Sequence, residues 1–343
     1  MIIDIEKILI ILFLTIIIYV INSKFFRIYK TKFEPHQNFS TNILANPIGG
    51  YTILLFVLFF NFFSNNLELF FLVSIFFLGL LSDNKFFNSP KYRLIIQILI
   101  ILTFLLFSDV EILSTRVDFF DNLLKNNFIN ILFSAFCILI VINGSNFIDG
   151  LNGLVIGYYS IITLILLNSD LNINLYLNDQ LLNNFLIIFG VLLLFNFLNK
   201  IFLGDSGSYL VGFLFSVYLI KIYQVNSSIS PYFIILLLWY PCFENLFSII
   251  RKNIFKESAT KADNRHLHQL FFLFLTNKFN IKKKIIANNL SSIILNMYNL
   301  VIFFVGLQKI HKTDFQILLI SISLTLYILF YFLLIKYKKS HKI

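Results

Sequence analysis

Eleven apolar runs fix what this chain can become. They lie near residues 5–21, 49–63, 67–81, 94–107, 129–143, 154–168, 182–197, 207–222, 232–249, 290–307 and 315–335. Each is long enough, or nearly so, to cross a bilayer core that takes ~20 helical residues. In lipid the backbone polar groups must pair internally, which leaves helices or a closed barrel. The runs are continuous rather than alternating, and that pattern favours helices. The chain is 58% hydrophobic and 13% charged, against about 25% charged in soluble domains. The expected fold is therefore all-α, a polytopic bundle of about eleven transmembrane helices forming one domain over residues 1–343.

A net charge of +10 raises nucleic acid as a partner. In a chain this apolar, topology and anionic membrane lipid explain it first, so no nucleic acid is expected. Lys and Arg are unevenly placed. Across the eleven runs, 21 of the 27 fall on the side that carries the C-terminus. Basic residues favour the cytoplasm, which predicts an outside N-terminus and a cytoplasmic C-terminus. The first run is followed by Asn22-Ser23-Lys24 rather than small residues, so it reads as a retained span and not a cleaved signal. Cys137 and Cys242 have no metal-site spacing and read as buried structural thiols.

Four polar clusters interrupt the apolar pattern, and all four fall on the predicted cytoplasmic side. Their loops lie near residues 82–93, 143–153, 198–206 and 250–289. Asn143-Gly-Ser-Asn146-Phe-Ile-Asp149-Gly150-Leu-Asn152-Gly153 is the densest. On a helix turning ~100° per residue, Asn143, Asn146 and Asp149 share one sector with Gly150, Gly153 and Gly157. The expectation is a polar face with bare backbone between its side chains, as a site admitting a charged ligand needs. Ser82-Asp83 closes the third run, and Lys91 and Arg93 follow. Those two cations suit a lipid phosphate or serve as positive-inside anchors. Gly204-Asp205-Ser206-Gly207-Ser208 opens the eighth run. Asp205 there suits either an N-cap or Mg²⁺, which takes few protein ligands and shares phosphate oxygens.

The fourth cluster, Asp263-Asn264-Arg265-His266-Leu267-His268, sits in a loop with nine Lys or Arg between Arg251 and Lys284. Two His at i,i+2 cannot share a helix face, but they can meet in an irregular loop. The loop reads as a basic cover over an anionic substrate. Three carboxylates, two His and basic groups on one side of a helix bundle suit Mg²⁺-assisted phosphoryl transfer to a lipid acceptor.

These clusters, in this order, resemble the polyprenyl-phosphate N-acetylhexosamine-1-phosphate transferases. The matching segments are Asn46–Gly50, Gly79–Gln97, Asn143–Gly157, Phe202–Gly212 and Asp263–Gln269. The resemblance implies a bundle of ten or eleven helices and Mg²⁺ (or Mn²⁺) dependence. It also implies a UDP-N-acetylhexosamine donor, undecaprenyl phosphate as acceptor and release of UMP at the bacterial inner membrane. By position, Asp205 matches the family's metal-binding Asp and Asp149 the essential Asp of the long motif. Asn146 falls near the nucleotide, with Asn143 one turn before it and Arg265 beside the His motif as further substrate-binding residues. His266 and His268 match that His motif. Asp83 inherits the role of positioning or deprotonating the lipid phosphate, because Ser82 stands where the family often has the first of two Asp. Asn152 in the long motif points to the branch that begins O-antigen or related surface glycans, with GlcNAc or a deoxy relative as the sugar. A homodimer is compatible with the chain. The competing reading is a secondary transporter or lipid flippase, but such proteins place their ionisable groups near the midplane.

Overall fold

The computed structural model describes residues 5–22, 24, 46–60, 66–86, 89–169, 171, 179–254, 256 and 265–341. Thirteen helices are found among them: α1 Ile5–Ile21, α2 Gly49–Phe59, α3 Asn66–Asp83, α4 Pro90–Phe107, α5 Asp118–Leu124, α6 Asn127–Ile148, α7 Leu154–Leu167, α8 Asp179–Phe197, α9 Gly204–Val225, α10 Pro231–Ile254, α11 Leu267–Lys278, α12 Lys284–Leu307 and α13 Thr313–Ser340. Every apolar run expected from the sequence contains one of these helices, with residues 61–63 of the second run outside the described residues. Eight of the helices are long and apolar enough to cross a membrane, and the chain is a multi-pass membrane protein. α2, at 11 residues, spans only ~16 Å at 1.5 Å per residue.

Local chemistry sets the helix ends. Pro90 stands at the first position of α4, where its missing N–H costs nothing. Asn126 caps α6 by accepting hydrogen bonds from the amides of Phe128 at 3.0 Å and Ile129 at 3.3 Å. Gly153, at φ 72°, turns the chain between α6 and α7 in a conformation that only glycine adopts freely. Pro241 lies inside α10 and leaves the carbonyl of Leu237 without its helical donor. The Tyr158 hydroxyl of α7 donates to that carbonyl at 2.8 Å, so the break is filled from a neighbouring helix.

α9 is the central helix. It is buried from Ser206 to Tyr223, and it packs against α2, α3 and α6. Small residues in its first half make this possible. A Cβ on Gly50 would come within 2.6 Å of the Gly207 nitrogen, and one on Gly79 would overlap the Ser206 backbone. Such close approach is how helices associate without a hydrophobic driving force between them. Further along, Lys221 of α9 pairs with Glu68 of α3, both buried. Around this centre α7 packs against α8 and α12, and α10 packs against α6 and α13.

Two of the expected loops are largely helical. Residues 143–148 continue α6 instead of forming a loop, because Asn143 donates to Gln97 Oε1 at 3.0 Å and is satisfied inside the bundle. The basic segment 250–289 contains α11, which folds back onto α12 and α13 with Leu267, Leu270, Phe271, Phe272 and Leu275 buried. Asp263 and Asn264 lie outside the described residues.

The Gly79 contact generates a prediction. Gly79→Ala overpacks α3 against the first turn of α9, a change that costs about 1–3 kcal/mol. Thermal unfolding in detergent should show a clearly lower midpoint, and an unchanged midpoint contradicts the packing.

Candidate active site

The site begins with an electrostatic problem at the start of α9. The first amides of a helix have no partner within it, and here they sit inside a membrane protein. Asp83, the last residue of α3, solves this from outside. Its two carboxylate oxygens accept hydrogen bonds from the amides of Asp205 at 2.8 Å and Ser206 at 3.0 Å. The helix dipole favours a negative charge at this end. Gly204, at φ 73°, brings the chain in so closely that a Cβ would reach within 2.9 Å of Asp83. Residues 46–50 brace the same turn. Phe202 N donates to Asn46 O at 3.0 Å, and Gly49 N returns a bond to Phe202 O at 2.9 Å. Asp83 therefore acts as the cap of a neighbouring helix, and both of its oxygens are engaged.

With its backbone held this way, Asp205 projects into a polar hub. Its carboxylate accepts from Ser82 Oγ at 2.5 Å, Arg93 Nη1 at 2.8 Å and Asn146 Nδ2 at 2.7 Å. Arg93 also donates to Ser82 Oγ. Asn146 bridges to Ser208 Oγ at 3.1 Å. Four helices thus meet at one carboxylate: α3, α4, α6 and α9. Ser82 sits where a second Asp would add charge; as a hydroxyl it donates to Asp205 instead of repelling it. Asn143 stands one turn back on α6, on Gln97. Lys91 is exposed in the first turn of α4 and does not join the hub.

Asp149 ends α6 as its C-cap. Burial, then the nearby charges of Asp205 and Asp83, push its carboxyl well above the usual carboxylate range, while the Gly204 backbone partly offsets them. Asp83, Asp149 and Asp205 are therefore close enough to feel one another, and Arg93 offsets part of their charge. Asp149 and Asp205 match the one or two carboxylates that Mg²⁺ takes alongside phosphate oxygens and water. Among the described residues no three His, Cys, Asp or Glu side chains converge as a closed metal site. A cation held here would complete its shell from substrate and water.

The glycines of this motif have a different use from the expected one. The sector shared by Asn143, Asn146 and Asp149 ends where α6 stops, so Gly153 and Gly157 leave that face. A Cβ on Gly150 would run into His268, one on Gly153 into Phe197, and one on Gly157 into Asn296. The bare backbone is filled by protein side chains. Around it, Asn152 Nδ2 donates to Asn199 at 2.5 Å and to Asn289 at 3.0 Å, and Asn288 Oδ1 accepts from the Asn152 amide at 2.7 Å. This asparagine network ties the motif turn to the end of α8 and the start of α12.

His266 and His268 do meet. His266 is the N-cap of α11 with extended backbone (φ −70°, ψ 147°), and Gln269 completes a capping box with it. The extended residue brings the rings parallel, with centroids 5.8 Å apart and planes at 13°. The His266 ring also lies 5.4 Å from that of Phe147, two residues before Asp149. His266 Nδ1 bonds Glu244 Oε1 at 2.9 Å. The Arg265 carbonyl accepts from Arg251 Nη1 at 2.5 Å. His268 is fully buried, and neither ring nitrogen has a hydrogen-bond partner. Burial drives its pKa down to about 3, against a partly compensating pull from Glu244. His268 is thus neutral and faces the turn that follows Asp149.

The sequence reading missed Glu244, Gln97 and Tyr327. Glu244 carried a visible signal: it is a lone acid inside the apolar run 232–249, and ionisable groups in such runs mark function.

Residues 65–223 match glycosyl transferase family 4, a stretch that holds Ser82, Asp83, Arg93, Asn146, Asp149 and Asp205. The undecaprenyl-phosphate alpha-N-acetylglucosaminyl 1-phosphate transferase of Thermotoga maritima is 28% identical over 245 residues, 71% of this chain and 74% of that protein. A probable undecaprenyl-phosphate N-acetylglucosaminyl 1-phosphate transferase of Bacillus subtilis is 28% identical over 214 residues, 57% of this chain and 55% of that protein.

His268 makes the stability of this end of the bundle depend on pH. Its folded pKa of about 3 lies below its ordinary value of 6.5, so between these values the unfolded chain binds the extra proton. This contribution is complete above pH 6.5 and falls by about 1.4 kcal/mol per unit as the pH drops toward 3. Denaturation of the wild type and His268→Gln from pH 7 to 4 should show a steeper loss in the wild type. Parallel curves contradict the neutral, buried ring.

Proposed function

We propose that this chain, whose residues 65–223 match glycosyl transferase family 4, moves a sugar-1-phosphate from a UDP-N-acetylhexosamine to undecaprenyl phosphate. The observation that carries this reading is the four-helix hub at Asp205, with Asp83 and Asp149 beside it. A lipid-phosphate oxygen attacks the sugar-bearing phosphorus, the bond to the α-phosphate breaks, and UMP leaves. A lipid monoester has a second pKa of ~6 and needs no strong base, so Asp83 is free to serve as the cap of α9. Asp149 and Asp205 would hold Mg²⁺, which when bound supplies Lewis-acid charge at the diphosphate. Arg93 offers its guanidinium to a phosphate that displaces it from Asp205, and bidentate contact suits that exchange. Asn143 and Asn146 line the side from which the nucleotide enters. Arg265 and the His266 segment close over it.

The Lys and Arg distribution favours a cytoplasmic site at the bacterial inner membrane, where UDP-sugars are available. GlcNAc is the sugar we favour, because both relatives are N-acetylglucosaminyl 1-phosphate transferases. An O-antigen-like glycan is the proposed destination. The transporter reading is weaker, because the carboxylates gather at helix ends: α3 ends at Asp83, α6 at Ile148, and α9 begins at Gly204.

Purified protein with undecaprenyl phosphate and a panel of UDP-N-acetylhexosamines should release UMP and stop when divalent cations are chelated. Asp205→Asn should lower that rate by about a hundredfold or more. Near-normal release by the variant, with ordinary Mg²⁺ dependence, would overturn the assignment of Asp205.

A further inference from the structure

Glu244 is an anomaly in the apolar middle of α10. It is fully buried, and a buried carboxylate in a membrane helix is costly unless it is paired. Three donors converge on it. His266 Nδ1 lies 2.9 Å from Oε1, the Leu267 amide 3.4 Å from the same oxygen, and the Tyr327 hydroxyl 2.7 Å from Oε2. Tyr327 belongs to α13, far beyond the family-matched residues 65–223. A second, parallel tie runs beside it. Arg251 of α10 donates to the Tyr331 hydroxyl of α13 at 2.8 Å and to the Arg265 carbonyl, the residue before His266. The last helix therefore fastens both the ring and the backbone of the His266 segment.

We propose that Glu244, anchored to α13 by Tyr327, is the positioning residue of His266. A carboxylate only accepts hydrogen bonds, so this contact makes Nδ1 the proton-bearing nitrogen. It leaves Nε2 as the atom available to a substrate phosphate, a division set by the partner of the other ring nitrogen. The ring's contact with Phe147, two residues from Asp149, puts it at the edge of the carboxylate hub. Glu244 touches no substrate; it acts through the imidazole.

This inference rests on the reading that His266 serves phosphosugar transfer, so its test carries two readouts. The first is independent of activity: thermal unfolding of Glu244→Gln, His266→Gln and the double variant in lipid nanodiscs. The pairing predicts strongly non-additive shifts, with the double variant within about 2 °C of the less stable single variant. Additive shifts overturn it. The second readout is UMP release. Glu244→Gln should lower kcat by about 10- to 100-fold with little change in KM, the size expected when an oriented ligand loses its outer partner. It should cost nothing further in the His266→Gln background. An equal loss in both backgrounds overturns the positioning role. Tyr327→Phe removes one oxygen and keeps the ring, so it covers the case in which Glu244→Gln fails to fold. It should lower kcat about threefold or more in the wild-type background alone, and an unchanged kcat overturns the anchor. If the wild type releases no UMP from any donor, the functional reading fails while the unfolding cycle still decides the pairing.

Discussion

Two hydrogen bonds from the first amides of α9 to the Asp83 carboxylate organise this end of the protein. A helix N-terminus packed among other helices has few water partners for its first amides, and leaving such groups unpaired is expensive. Asp83 removes that penalty and couples the end of α3 to the start of α9. Gly79 and Gly50 let α3 and α2 approach closely enough for this to happen. The backbone pairing of residues 46–50 with 201–203 holds the intervening turn. The packing of the central helix and the geometry of the site are therefore one arrangement.

The polar chemistry follows from that coupling. Once the backbone of Asp205 is fixed, its carboxylate has a defined direction, and Ser82, Arg93 and Asn146 converge on it from three other helices. Crowded carboxylates raise one another's cost of ionisation, and Asp149 shows it. That crowding is the electrostatic state that a divalent cation and a diphosphate would relieve. Beside the turn at Asp149, His268 is kept neutral by burial, and His266 is tied through Glu244 to the last helix.

Much of this was legible in the sequence, because hydrophobic continuity over 15 or so residues leaves little besides a membrane helix. The carboxylates and histidines were legible as polar breaks in that pattern. What escaped notice shares a physical cause: the sequence shows polarity but not its partner. Asn143 and Asn146 read as a polar face open to substrate because nothing in the chain announces that Gln97 and Asp205 satisfy them. The glycines of the long motif looked like ligand gaps, yet His268, Phe197 and Asn296 arrive from distant helices to fill them. α11 was hidden by summing charge across residues 251–284, although Leu267, Leu270, Phe271 and Phe274 mark one face at helical spacing. Asp83 read as the residue that positions or deprotonates the lipid phosphate; its place as the cap of α9 was not legible, since a cap donated by one helix to another leaves no local signature.

The account's central claim is that Asp83 and Asp205 work as a unit, one holding the backbone of the other. A double-mutant cycle of Asp83→Asn and Asp205→Asn, read as the rate of sugar-phosphate transfer to undecaprenyl phosphate, tests it most directly. The account predicts strong non-additivity, with the double variant hardly slower than the worse single variant. Independent, multiplicative losses would show that the two carboxylates act separately and would contradict it.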